Sequence, residues 1–432
     1  MTKKMVVQPC YFPIIGTHQE TYYVDEWSEK TVSKDAISRP KDFKSIKGQQ
    51  LGNSSSLIKA GETKFFKARI QFGYRAIEEF YVEAIGDQGG YGHLDPWFSS
   101  NYKYRKIITI DVTKVSGGAN LSNFPVLISS TDNDLRTTAN GGKAASGSGE
   151  FVFTSSDAVT VLPHEIESYT ATSGNIIAWV NVTTLSGTVN TVLYLYYGGP
   201  SSGATNQNPT GVWDTNYKGV WHLGNGTSLN DDDSTSNAYP SAATGIDAVA
   251  GKVDGAGGWA GGTDVIDVTS YTNFARPMSF ELWVRNSVNS GTFLQASTYT
   301  NNFLVYHRNN TNVCLFVSLS DEFCYDVDIT ADNIFHHLVF TIASDGTRAI
   351  YFDGTAVTIN HLAGTTSAPN TSTALKFGNG FTANTTRMDE IRISNTVRSA
   401  AWIKTEYNNQ SSPSTFYTMA NDATSIILIE EQ

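Results

Sequence analysis

The sequence predicts an all-β protein of tandem antiparallel β-sandwiches preceded by a small β-rich N-terminal region. Three observations predict it. Short runs that alternate apolar and polar residues recur along the chain, each bounded by Gly, Asn, Ser or Asp. Aromatic residues make up 12% of the chain, with 21 Tyr, 22 Phe and 8 Trp, and such side chains fit a pleated, half-buried surface. Only one clear helical pattern appears in the C-terminal half. At 432 residues the chain exceeds the usual limit of a single core. The composition shifts divide it into 1–100, 101–212, 213–420 and a tail strand at 421–432.

Residues 1–60 are polar and without clear periodicity, so they read as an extended arm that orders against a partner. In TKFFKARIQFGYRAIEEFYVEAIG (63–86), Phe66, Ala68, Ile70, Phe72 and Tyr74 alternate with polar residues, as in a strand. A helix over Arg75–Tyr81 competes with the second run, Phe80 to Ile85. Gly89, Gly90 and Gly92 mark the exit from this anchoring region.

From Tyr104 the strands follow in series: YRKIITIDV, FPVLISS, EFVFTSS, IIAWVNV and TVLYLYYG. GGPSSGATNQNPT (198–210) has linker composition. The second series is VWHLG, DVIDV, MSFELWVR, TFLQAS, NFLVYHR, VCLFVSL, HHLVFTIA, RAIYFDG, LKFGNG and MDEIRIS. Asp345-Gly346 and Asp353-Gly354 predict tight hairpins. RSAAWIKTEY (398–407) is the helix, with Ala401, Ile403 and Tyr407 as face residues and Ser394/Asn395 as local caps. SIILIEE reads as a last strand.

Net charge is −11. Residues 1–100 hold 13 Lys and Arg against 12 Asp and Glu, and the remainder holds 17 against 29. The acidic part should repel nucleic acid, whose binding rests on phosphate neutralisation. No apolar run approaches the roughly 20 residues that cross a bilayer, so no membrane insertion is expected. MTKKMVVQPCYFPIIG is interrupted by Pro9 and Pro13 and is not expected to serve as an export leader. None of Cys10, Cys314 and Cys324 has metal-ligand spacing. Cys314 and Cys324 flank a hairpin, and either a disulfide or two buried thiols is open there.

Sandwich glycosidases need two carboxylates projecting into one groove, about 5–5.5 Å apart for retention. The usual E-x-D-x-x-E cluster is absent. Asp326 and Asp328 share a spacing without a third acid, and Glu165 and Glu167 share a face in the middle domain. No catalytic residue is expected. His336 and His337 are consecutive on a strand and point to opposite faces, so they cannot serve one ion together. His164 and His222 read as packing residues. Asp231-Asp232-Asp233 reads as a solvated acidic loop that could chelate.

Residues 102–215 resemble a bacterial, archaeal and phage domain family of unknown function, through YRKIITI, NFPVLISSTDNDL, FVFTSSDA, HEIE, IIAWVNV, YLYYGGP and NPTGVWDTNYKGVWHL. Residues 216–418 resemble a laminin G-like, concanavalin A-like jelly roll. The carrying residues are DSTSNAYPS, GKVDGAGGWAGG, MSFELWVR, FHHLVFTIASDGTRAIYFDGTAV and MDEIRISNTVRSAAWIKTEYNNQ. The second resemblance implies a lectin/glucanase-type fold. It also implies a structural calcium held by Asp389 with Asp254 and Gly255. Glycan contact in such sandwiches uses aromatic platforms with polar neighbours, for which Trp259, Tyr299, Tyr306 and His307 are the candidates.

Together the resemblances imply a non-catalytic bacteriophage virion surface protein, a tail or capsid-decorating adhesin that binds host-surface glycan. Residues 1–100 would dock on other virion structural proteins, and the chain would form a homo-oligomer on the particle. The alternatives are a cellular secreted or surface carbohydrate-binding module, a purely architectural virion protein, and a glycoside hydrolase.

Overall fold

The computed structural model describes residues 97–99 and 101–422, apart from 146, 201–205, 225–226, 273–274, 286–290, 297–303, 309–310, 319–320, 331–332, 365–373 and 380–385, together with the backbone of four short N-terminal strands. Two compact units result, one of residues 1–103 with 422–432, the other of residues 104–421.

In the first unit, β1 (His18–Asp25) pairs antiparallel with β2 (Ser28–Lys34), and β3 (Ala36–Ile37) pairs parallel with β4 (Phe72–Gly73). Strands thus occur inside the stretch expected to be an extended arm. Tyr22, Tyr23, Val24, Thr31 and Val32 supply β-prone residues there without a strict two-residue period. The other expectations for 1–96, the helix over 75–81 among them, and the SIILIEE strand lie outside the described residues.

The second unit holds both sandwiches. In chain order its strands are β5 (Tyr104–Ile110), β6 (Leu121–Thr131), β7 (Val152–Ser155), β8 (His164–Thr170), β9 (Asn175–Leu185), β10 (Thr191–Tyr197) and β11 (Tyr217–Trp221). β12 (Ser241–Thr244), β13 (Ile246–Ala250), β14 (Gly255–Trp259), β15 (Val265–Thr269), β16 (Met278–Arg285), β17 (Gly291–Ala296), β18 (Leu304–Arg308) and β19 (Asn312–Ser318) follow. The last are β20 (Asp321–Asp326), β21 (His336–Ile342), β22 (Arg348–Phe352), β23 (Thr355–Val357), β24 (His361–Ala363), β25 (Ala374–Asn379), β26 (Thr386–Ser394) and β27 (Tyr417–Asn421).

The middle sandwich packs the sheet β27-β5-β10-β7 against β6-β9-β8. Phe124, Val126, Ile128, Ile176, Ala178, Val180, Leu193 and Leu195 fill the space between them, as inward positions of alternating strands should. The jelly roll is larger. One sheet runs β13-β14-β26-β16-β21-β22-β23 with β11 also on β26, and the other runs β12-β15-β25-β17-β18-β19-β20-β24. Phe280, Leu282, Val284, Leu338, Phe340, Ile391 and Ile393 from the first meet Ile266, Val305, Val313, Leu315, Phe323 and Phe377 from the second. Asp353 (φ 49) and Gly354 (φ 69) both take left-handed backbone, as the tight β22–β23 turn requires.

The jelly roll interrupts the middle sandwich. β27 lies C-terminal to the whole jelly roll yet pairs with β5, Tyr417 opposite Ile110 and Asn421 opposite Lys106. Residues 206–208 of the expected linker are anchored. Asn206 Nδ2 donates to Gly149 O, Ile166 N–H donates to Gln207 Oε1 at 2.6 Å, and Asn208 caps the short Pro209–Val212 helix.

The helix expected over 398–407 spans Ala400–Ser411, capped by Ser399 through Trp402 N–H rather than by Ser394 or Asn395. Ser394 is still in β26, paired with Ser279, and cannot cap. This helix is a wedge with two buried faces. Trp402 packs on Phe124 of the middle sandwich, ring centroids 4.7 Å apart. Asn409 closes a ring with the Leu127 backbone, accepting its N–H at 2.7 Å and donating to its C=O at 3.0 Å. On the other side Ile403 packs with Val339 and Tyr351 of the jelly roll.

Asn409→Ala should therefore leave two buried backbone groups of β6 unsatisfied and cost about 2–4 kcal/mol, read by denaturant unfolding of the full chain. An unfolding midpoint equal to wild type would contradict this role.

Candidate functional sites

Two clusters of polar side chains stand out in the second unit. The first is buried between the sandwiches. β26 carries a β-bulge: Glu281 faces Arg392 across the β16–β26 ladder, but Trp283 faces Asp389, so β26 has one residue extra. Glu390 sits at the bulge with φ 51. The bulge turns Asp389, Glu390 and Arg392 all away from the jelly-roll core. They meet Glu165 and Glu167 of β8, His222 after β11, and Glu406 of the helix.

Arg392 is the centre. Its Nη2 is 2.7 Å from Glu390 Oε2, its Nη1 pairs with Glu406, and Glu281 Oε1 lies 3.6 Å away. The guanidinium lies over Trp179 and Trp213, 4.3 and 4.9 Å from the ring centroids. His222 Nδ1 is 2.8 Å from Glu390 Oε1, and its Nε2 is 3.5 Å from Glu165 Oε2. The tryptophans donate in turn, Trp213 Nε1 to Glu165 at 2.9 Å and Trp179 Nε1 to Glu167 at 2.8 Å.

Electrostatics divides these groups. Burial would lower the His222 pKa, but Glu390, Glu165 and Glu167 outweigh it and raise it well above the usual value, so the ring is a cation. Burial, reinforced by Glu390, raises Glu167 and Asp389 well above normal; burial, reinforced by Glu406, does the same for Glu281. Burial would raise Glu165 too, but His222 holds it low. Glu165 and Glu167 therefore brace the two sandwiches through His222.

The second cluster lies on the jelly roll's other sheet, on the face turned from its core. Tyr306 Oη donates to Glu322, Arg308 Nη1 is 3.1 Å from Glu322 Oε2, and His361 Nε2 is 3.0 Å from the same oxygen. Arg308 and His361 keep 35% and 46% of their side-chain surface open to solvent, against 11% for Glu322. Burial raises the Glu322 pKa, and His361 opposes the rise. Cys314 and Cys324, directly opposed on β19 and β20, form a disulfide beneath the cluster. Of the two alternatives left open for these cysteines, the structure takes the disulfide. Closing so short a loop stabilises by about 2–3 kcal/mol in the chain-entropy account.

The residues singled out from sequence fall in different places. Tyr306 belongs to the exposed cluster, whereas Tyr299 lies outside the described residues. Trp259 is corrected: it is 1% exposed in the jelly-roll core, its Nε1 donating to Phe377 O. Its glycine-rich surroundings form strand β14 rather than a loop, and Gly378 leaves room for the indole where a Cβ would fall 1.9 Å from Nε1. His307 is corrected too. It alternates with Tyr306, points inward and is 1% exposed.

Of the expected calcium set, Asp389 turns one carboxylate oxygen onto backbone donors, while its Oδ1 and Asp254 Oδ2 are buried without a hydrogen-bond partner. Asp389 Oδ2 accepts the N–H groups of Lys252 and Val253 at 2.7 and 2.8 Å. Amide donors turned onto Oδ2 present positive dipoles to that oxygen, whereas calcium takes six to eight oxygens. Asp233 accepts from Val220 N, Thr235 N, Thr235 Oγ1 and Tyr239 N, so it anchors its loop. His336 pairs with Asp353 at 2.9 Å and stacks on Phe352, while His337 is buried on the opposite face.

Sequence reasoning missed Arg308, Glu322, His361 and Arg392. The alternation of NFLVYHR, which sets Tyr306 and Arg308 on one face, was the one available signal.

Because the fold raises the His222 pKa, its contribution to stability is complete below about pH 6.5 and fades as pH rises through the raised value. The thermal midpoint should fall on that side, and His222→Gln should reduce the slope above pH 6.5 while costing about 3–5 kcal/mol at pH 6, because its carboxylate partners stay buried. Parallel pH profiles of wild type and variant would refute this.

Residues 260–404 match the family model of the concanavalin A-like lectin/glucanases superfamily. No curated protein matches the chain. Among solved structures, the chain is similar to the botulinum neurotoxin type G receptor binding domain, at 15% identity and a TM-score of 0.37, over 45% of this chain and 52% of that one. It is also similar to the binding domain of botulinum neurotoxin DC in complex with rat synaptotagmin II, at 14% identity, TM-score 0.38, over 45% and 52%. A third is the binding domain of Paraclostridial Mosquitocidal Protein 1, at 13% identity, TM-score 0.35, over 44% and 52%. The chain spans about half the length of each.

Proposed function

We propose that this chain, whose residues 260–404 match a lectin/glucanase domain, is a non-catalytic glycan-binding protein that binds through the face carrying Tyr306, Arg308, Glu322 and His361. One observation carries the reading. The outer face of the sheet containing β16, β21 and β26 is occupied by the Ala400–Ser411 helix and the middle sandwich, so the opposite sheet offers the outer face for a ligand. On it, Glu322 fixes three donors, and Arg308 and His361 keep part of their side chains open to solvent. Such paired donors beside a phenol ring suit sugar hydroxyls and ring faces.

Hydrolysis is disfavoured at this face. Glu322 and Asp326 lie on the same side of β20 but four residues apart, roughly 13 Å by strand rise. Paired glycosidase carboxylates stand about 5–9.5 Å apart.

On a glycan array, the full chain should bind at least one polysaccharide class, and Arg308→Ala or His361→Ala should cut that signal about tenfold without moving the thermal midpoint. An array silent at high display density, or variants that bind like wild type, would reject the reading.

The resemblance of residues 102–215 to a domain family shared by phages supports display on a virion surface, with residues 1–100 docking on the particle. Multiple copies would raise weak single-site affinity. Mass spectrometry of purified particles should then detect the chain, and its absence from them would leave the cellular binding module.

A further inference from the structure

The buried seam contains a set of metal-ligand atoms that the ion pairs satisfy only in part. Glu281 of β16, His337 of β21 and Glu406 of the helix bring one ligand atom each to within 4.8 Å of one another. Three elements converge there because Trp283 pairs with His337 across the β16–β21 ladder and the helix lies over that face, Trp283 Nε1 donating to Gln410. Glu281 is 4% exposed, and His337 and Glu406 are each 1% exposed. Both carboxylate oxygens of Glu281, Nδ1 of His337 and Oε2 of Glu406 are buried without a hydrogen-bond partner. Such atoms are costly, since each unmet buried polar group forfeits roughly 1–3 kcal/mol.

Arg392 meets this need only in part. Its guanidinium is held by Glu390 and the faces of Trp179 and Trp213, hydrogen-bonds Oε1 of Glu406, and stands 3.6 Å from Oε1 of Glu281, too far for a hydrogen bond.

We propose that Glu281, His337 and Glu406 hold a divalent transition-metal ion, of which Zn²⁺ is the best match to one imidazole and two carboxylates. Borderline ions of this kind take nitrogen and oxygen donors at about 2.0–2.2 Å, which places donors roughly 3.4 Å apart at tetrahedral angles. Side-chain movements of about an ångström close the set. Glu406 then bridges the ion and Arg392, the arrangement in which a second partner orients a metal-binding carboxylate. The ion tethers two strands of the jelly roll to the wedge helix, so its role is structural. The proposal is independent of the glycan reading and of the calcium expectation at Asp389.

The rival arrangement is a proton shared between Glu281 and Glu406, since burial already favours a protonated Glu281. Glu281→Gln separates the two. The full chain, purified from zinc-supplemented medium and dialysed, should carry about one zinc per chain by elemental mass spectrometry. A strong chelator should lower its thermal midpoint by roughly 5 °C or more, and Zn²⁺ alone should restore it. Glu281→Gln and His337→Phe should each hold less than a tenth of the wild-type zinc and lose the chelator response. Wild-type chain without zinc, manganese or iron, combined with a Glu281→Gln midpoint equal to or above wild type, would overturn the site and establish the shared proton. Metal retained by both variants would overturn the assigned ligands.

Discussion

The union of the two sandwiches depends on how Arg392 and His222 are neutralised. A buried guanidinium and a buried imidazolium are tolerable only if carboxylates reach them from every side. Here they do so from four segments: β8, β16, β26 and the Ala400–Ser411 helix. The β26 bulge at Glu390 makes that convergence possible, because a regular strand would send Asp389 and Glu390 to opposite faces. Backbone strain at one residue is thus compensated by the ion pairs it aims.

The same seam explains the chain's order. Because β27 returns to β5 only after the jelly roll is complete, the middle sandwich cannot finish its sheet until some 200 intervening residues are in place. The wedge helix immediately precedes that return. It touches β6 through Asn409 and the jelly roll through Ile403, so docking of the helix and closure of the sheet reinforce each other. Residues 104–421 accordingly form one compact unit rather than two beads on a linker. One outer face of the jelly roll is occupied by this packing, and on the other Glu322 holds Tyr306, Arg308 and His361 in place above the disulfide.

Much of the fold was legible. Strands such as MSFELWVR, HHLVFTIA and IIAWVNV carry long apolar runs that appear as β16, β21 and β9. Strand β14, GAGGW, was not legible, because glycine has no side chain to show a period. For the same reason Trp259 read as a loop residue when it is a core residue. Of the candidate glycan contacts, Tyr306 reached the exposed face and His307, its neighbour, could not, since adjacent strand residues point to opposite sides.

By itself the sequence determined the all-β class, most strand positions, the acidic surface and the jelly-roll resemblance. These follow from local alternation and composition, which the chain carries residue by residue. Only the tertiary structure decided that His222, Glu165 and Arg392 share one seam, that β27 closes a distant sheet, and that Cys314 and Cys324 bond. Those facts depend on register and on a bulge, and a one-residue shift in either would send the same side chains to the opposite face.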